Sequence, residues 1–167
     1  MNGGEAAKRP GQLILGWWSA ALGDRKTSAQ KALSARLRRG DDVSVLCEPA
    51  VHDLARSLNL RDGPRVARLA RVLAHVRAYT SDSLPRRLGR GDPPALSPMR
   101  FERLIQSGGA DLEAAIRRAL PMVQHSANPA HLGEALLNWS DATRMRWCFD
   151  YYGGEAPKTE ISEDLSQ

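Results

Sequence analysis

Apolar residues recur at helical spacing along almost the whole chain. Leu13, Ile14, Trp17, Ala20 and Ala21 repeat every three or four residues, which is one face of a helix, and predict a first helix ending near Gly23. Ser28 can cap a second that carries Leu33 and Leu37 and stops at Gly40. Pro49 and Pro64 each suit the first turn of a helix. The helix from Pro49 carries Leu54 and Leu58. The helix from Pro64 has a stripe of Val66, Leu69, Val72, Leu73 and Val76, with Arg68, Arg71 and His75 along one flank. Strand-like alternation is scarce: Val43-Ser44-Val45-Leu46 hints at it and is too short to count.

Residues 80–97 hold Pro85, Gly89, Gly91, Pro93 and Pro94, and read as a long loop with a short helical piece at most; loops of that length are often functional. Ser97-Pro98 supplies a cap followed by proline at the first helical position, and that helix stops before Gly108-Gly109. Asp111 caps the next, with Leu112, Ile116, Ala119 and Leu120 inward and Arg117 and Arg118 outward, and Pro121 kinks or ends it. Asn128-Pro129 opens another helix, and Ser140 or Asp141 caps the last, which runs to Gly153. The expected fold is all-α, a compact bundle of about eight short helices over residues 12–153. A disordered stretch at 1–11 and an acidic, flexible tail at 154–167 flank it. No repeat has solenoid length.

Composition changes this picture in one respect. The 167 residues suit one domain, and 42% hydrophobic with 26% charged content is ordinary for a globular chain. The formal charge of +5 conceals an asymmetry. From Gly153 onward, Glu155, Glu160, Glu163 and Asp164 stand against Lys158, a net −3 that leaves +8 on the body. Nearly all cations between Arg25 and Arg103 are arginine, the residue suited to bidentate phosphate contacts, and a basic body is the footprint of a nucleic-acid binder. A GC-rich genome gives the same arginine, alanine and glycine bias, so composition leaves both readings open. Cys47 and Cys148 lack metal or redox spacing and read as free thiols in a reducing compartment. The start of the chain is polar through Pro10 and no apolar run approaches the roughly 20 residues of a membrane span. The expected location is cytoplasmic, where Asn138-Trp139-Ser140 is not a glycosylation site.

The search for catalytic chemistry returns little. The chain has no Gly-rich phosphate loop, nucleophile elbow or His-Glu-x-x-His pair. His131 and Glu134 can share a helix face, but a single such pair reads as ordinary polar surface before it reads as a metal site. Asp41-Asp42 read as turn residues and His52, His75 and His125 as structural. No catalytic residue, metal or cofactor is expected. Trp17, Trp18, Trp139, Trp147, Tyr151 and Tyr152 concentrate in the first and last helices. Aromatics beside cations can stack bases, yet the helical spacing of Trp17 and Tyr151 favours core packing. The arginines form no single run. They sit on the ends and solvent faces of successive helices, and merge into a stripe if those helices pack side by side.

The order of features resembles a known family. Trp17, Leu37-Arg38-Arg39, Pro49 and Pro64-Arg65 are followed by Leu88-Gly89, Ser97-Pro98-Met99-Arg100-Phe101-Glu102-Arg103-Leu104-Ile105, Ile116-Arg117-Arg118, Leu136-Leu137-Asn138-Trp139, Arg144-Met145-Arg146-Trp147 and Tyr151-Tyr152. From about Leu13 to Gly153 this is similar to the small-subunit (CasB) family of the type I-E CRISPR surveillance complex Cascade. The resemblance implies a non-catalytic α-helical subunit in antiviral defence. Its implied partners are the backbone and large Cascade subunits, a second copy of itself, guide RNA and single-stranded target or non-target DNA. Its basic face then stabilises the R-loop and the displaced strand. By motif position the role passes to Arg38, Arg39, Arg65, Arg100, Arg117, Arg118 and Arg144, with Phe101 and Leu104 in the core. Charge and expected exposure add Arg103, Arg25 and Lys26. The acidic tail reads either as a solvated end or as a competitor for the basic face.

Two rival classes remain. A stand-alone helix-turn-helix regulator needs base-reading side chains on one helix, and Asn and Gln are rare in these helices. A helical enzyme needs an acid–base constellation that the motif search did not find.

Overall fold

Capping chemistry decides where most helices begin. In the computed structural model, which describes residues 8–153, seven helices start behind a residue whose side chain accepts a hydrogen bond from the first turn. They are α2 (Ser28–Arg39) behind Thr27, α3 (Asp42–Leu46) behind Asp41, α5 (Gly63–Ala74) behind Asp62, α6 (Leu84–Leu88) behind Ser83, α7 (Pro98–Gln106) behind Ser97, α9 (Pro129–Leu137) behind Asn128 and α10 (Asp141–Tyr151) behind Ser140. The other three are α1 (Pro10–Ala21), α4 (Pro49–Leu58) and α8 (Gly109–Ala119). Prolines stand in the first turns of α1, α4, α5, α6, α7 and α9, where a missing N–H costs nothing. The only strands among the described residues are β1 (Ala78–Tyr79) and β2 (Ser126–Ala127), a two-residue parallel pair.

The all-α expectation holds, with ten α-helices among the described residues against about eight. The extra elements are short. Asp41 caps α3 across the stretch that hinted at a strand, and α6 is a five-residue piece inside the long loop. α1 starts at Pro10, inside the stretch expected to be disordered. Thr27, not Ser28, caps α2, and Gly108, not Asp111, stands before α8. After Ala119 the chain tightens into a 3-10 turn over Leu120–Val123, so Pro121 ends the α-helix. The expectations for residues 1–7 and 154–167 lie outside the described residues.

α5 is the central element. Its stripe of Val66, Leu69, Val72 and Leu73, with Ala67, Ala70 and Ala74, is buried almost completely. It packs against α2, α3, α4, α8 and α9, while α1 lies on α4 and α9, α6 on α10, and α7 on α8. Trp17, Trp18, Trp139 and Tyr151 are structural, whereas Tyr152 is exposed. The Trp18 and Trp17 indole N–H groups donate to the carbonyls of Val76 (3.1 Å) and Ala50 (2.8 Å), and of the two rings Trp18 is the buried one. Trp139 Nε1 donates to Ser107 O at 2.8 Å, and Tyr151 stacks on Phe101 with ring centroids 4.0 Å apart.

One buried carboxylate ties α5 to α8. Arg71 grips Glu113 in a fork, Nε to Oε2 at 2.6 Å and Nη2 to Oε1 at 3.0 Å, and its Nη1 reaches Asp42 Oδ1 at 2.8 Å. Arg68 and Arg117 stand 3.8 Å from the same carboxylate. Glu113 is only 6% exposed, so three cations balance one buried anion.

Two substitutions test this packing. Glu113→Gln leaves three guanidinium groups around a neutral amide. Breaking a buried pair costs about 3–5 kcal/mol, which at about 2–4 °C per kcal/mol for this size lowers the melting midpoint by roughly 10 °C; a thermal scan reads it. Gly89→Ala fails for reasons of space, because its Cβ would overlap the Tyr151 carbonyl where α6 meets α10. Backbone must move to admit it, so the urea midpoint should fall by the equivalent of about 2 kcal/mol or more.

Candidate functional site

The arginine-rich end of α2 faces α8 across a groove. Arg36, Arg38 and Arg39 occupy its last turn, where the helix dipole favours cations. Gly40 then breaks the helix and Asp41 starts the next. This corner and α8 border a groove of about 790 Å³ lined by Arg38, Arg39, Arg71 and Arg117. On the other side of α8, a second groove of about 860 Å³ runs between α7 and α8, walled by Arg100, Arg103, Arg117 and Arg118. Arg117 and Ala114 line both. α8 is thus a ridge between two basic grooves, and Arg117 joins them.

The side chains there differ in how free they are. Arg39, Arg100 and Arg118 are exposed, and no carboxylate among the described residues pairs with them. Arg103 is exposed as well and touches only Met99 Sδ, at 3.7 Å. Arg38 is half-buried; its Nε donates to Ser34 O and Oγ, both at 3.3 Å. Burial, with Arg77 and Arg39 nearby, lowers its guanidinium below the ordinary arginine value. Arg71 is committed to Glu113 and Asp42. The grooves also differ underfoot. Leu96, Leu104, Ala115, Ala119 and Met122 give the α7–α8 groove an apolar floor, whereas Asp41, Asp42 and Glu113 line the other.

Six of the ten arginine and lysine positions singled out from sequence therefore converge: Arg38, Arg39, Arg100, Arg103, Arg117 and Arg118. The other four lie outside both grooves. Arg25 turns inward, its guanidinium donating to Val76 O at 2.6 Å and to Ala74 O, so it closes the end of α5. Arg65 Nη2 donates to Leu137 O at 2.5 Å at the end of α9. Arg144 pairs with Asp141 at 3.1 Å and lies over the Trp139 ring, 5.6 Å from its centroid. Lys26 is exposed beyond the 3-10 turn Gly23–Arg25. Sequence reasoning overlooked Arg77, which follows the last stripe residue, Val76, and bears electrostatically on Arg38.

His75 reports the field of this cluster. Burial, then Arg117, Arg38, His125 and Arg77, push its imidazole down to about 4. His125 Nδ1 donates to His75 O at 3.1 Å, and burial lowers it too, ahead of Arg77, Arg38 and Arg25. Elsewhere, His131 stands 3.9 Å from Asp150, and Glu134 accepts the Gly11 amide at 2.8 Å. No group of three or more His, Cys, Asp or Glu able to hold a metal ion lies among the described residues. Nor is any helix there long and apolar enough to cross a membrane.

The His75 shift can be read directly. Its folded value lies below the ordinary imidazole value, so the unfolded chain binds the proton first as pH falls. The contribution of neutral His75 to stability is present above about pH 6.5 and is lost between about 6.5 and 4. A ring-proton NMR titration should give a midpoint about 4, and Arg117→Ala should raise it.

A family model described as CRISPR-associated protein Cse2 matches residues 33–152, from within α2 to the end of α10. No curated protein and no solved structure is significantly similar to the chain. With an all-helical fold and a match over most of its length, the chain belongs to the CRISPR-associated protein Cse2 family, the CasB small-subunit family of the type I-E Cascade complex.

Proposed function

We propose that this subunit is a non-catalytic clamp that holds single-stranded nucleic acid, chiefly the displaced DNA strand of an R-loop, in the two grooves beside α8. The observation that carries the reading is the junction at Arg117, which makes one basic track from arginines of α2, α7 and α8. Arg39, Arg100, Arg103 and Arg118 have no ionic partner among the described residues, so a phosphate chain would meet them without first breaking an ion pair. Phosphate contacts supply affinity without reading bases. Neither groove is lined by Asn or Gln, the side chains that read adenine edges. In an RNA-guided complex, guide pairing reads the sequence and the protein has only to retain the strand it displaces. Sequence-blind arginines meet that need.

The rest of the assembly follows the family. The backbone and large Cascade subunits, guide RNA and a second copy of this chain are the proposed partners, in the cytoplasm. Met145 and Phe149 on α10, and Tyr152 just past its end, are exposed at a spacing of four and three residues. That apolar stripe is suited to a protein contact, and it lies outside both basic grooves.

Salt dependence tests the clamp. For single strands, log K falls with log salt by about 0.7 per phosphate neutralised. Replacing Arg39, Arg100 and Arg118 together by alanine should flatten that slope by about two units, equally on two unrelated sequences. Replacing Arg56, which pairs with Asp53 on α4 outside both grooves, should leave it unchanged. In assembled Cascade, the same triple change should weaken retention of the displaced strand far more than guide loading. An unaltered slope, or a thousandfold preference for one sequence, would exclude the clamp.

A further inference from the structure

We infer that the acidic segment Glu160–Leu165 of this chain docks in the α7–α8 groove and shields it until nucleic acid displaces it. Docking itself stands on the groove and the sequence; the shielding role rests on the clamp reading. The groove combines two features that a phosphate chain alone does not require. Its floor is apolar, with Leu96 and Leu104 at its base, and Met122, at its edge, is 42% exposed. Its walls carry Arg100 and Arg103 from α7 and Arg117 and Arg118 from α8, against one carboxylate, Asp111. An occupant with apolar anchors and flanking carboxylates matches both.

The segment has that pattern. Ile161 and Leu165 stand four apart, so two apolar anchors fall within one short segment. Glu160, Glu163 and Asp164 surround them, three carboxylates in five positions. The reach is sufficient. Tyr151 Oη donates to the carbonyl of Leu96, a residue of the groove floor, at 2.5 Å, so the described chain leaves α10 beside one end of the groove. The eight residues from Gly153 to Ile161 span up to about 27 Å, and the nine-residue α7 that forms one wall is only about 13 Å long. A tether this short holds its segment at an effective concentration in the millimolar range, so weak docking suffices to fill the groove.

Two variants of the full chain separate docking from a general charge effect. Glu160→Gln, Glu163→Gln and Asp164→Asn together remove the carboxylates. Ile161→Asp with Leu165→Asp removes the anchors and adds negative charge. Both should shift the backbone amide NMR signals of residues 100–107 and 111–119, and the shifts should shrink as salt is raised. No change at those amides in either variant overturns the proposal. Changes that grow with protein concentration overturn it in favour of the same segment from a second copy. Single-strand affinity at about 50 mM salt should rise roughly tenfold in the Ile161→Asp, Leu165→Asp variant, where a plain charge effect would lower it. If the amides shift and that affinity does not rise, docking stands, and the assignment of nucleic acid to this groove is what fails.

Discussion

The fork between Arg71 and Glu113 is the interaction on which the basic face depends. It joins the central helix to the ridge helix at a site where both side chains are largely withdrawn from water, 11% and 8% exposed. A planar guanidinium can meet a carboxylate with two parallel hydrogen bonds and still present a third edge. Here that edge reaches Asp42 and fixes the α2–α3 corner as well. The central helix, the ridge helix and the α2–α3 corner are thereby registered against one another. The α5 stripe supplies the hydrophobic platform, but the ion pair sets where α8 lies on it, and with α8 the position of Arg117.

The positive charge of the chain is divided between structure and surface. Arg25 and Arg65 close helix ends by donating to carbonyls of other segments. Arg36 pairs with Glu48 at 2.7 Å and Arg86 with Asp150 at 3.3 Å. These cations belong to the fold and explain part of an arginine-rich composition without any ligand. Among the exposed arginines with no carboxylate partner in the described residues, Arg39, Arg100, Arg103 and Arg118 border the ridge, while Arg9, Arg61 and Arg77 lie elsewhere. A genomic bias toward arginine accounts for the scattered ones; the four beside α8 are the ones that line the two grooves.

Local chemistry was legible in the sequence and distant pairing was not. Ser97-Pro98, Asn128-Pro129 and Ser140 mark helix starts because a cap acts on amides two or three residues away. The α5 stripe was readable because burial on one face imposes its own period. α3 was not, since five residues are too few to show a period and Val-Ser-Val also fits a strand. The roles of Arg71 and Arg65 depend on partners 42 and 72 residues away, and no local signal separates such an arginine from an exposed one. For that reason Arg25 and Arg65 looked the same in sequence as Arg39 and Arg118.

A cluster of like charges opposes its own assembly, and the fold limits that cost in two ways. Glu113 sits under the ridge and offsets Arg71, Arg68 and Arg117 together. His75 and His125, the histidines that feel the cluster's field, are driven toward their neutral forms by burial and by the arginines themselves. Neutral imidazoles add nothing to the repulsion near pH 7. The charge that remains is carried by guanidinium groups, which do not titrate in the physiological range. An interface built this way keeps its charge as pH varies and weakens with salt, which screens phosphate contacts and exposed ion pairs alike.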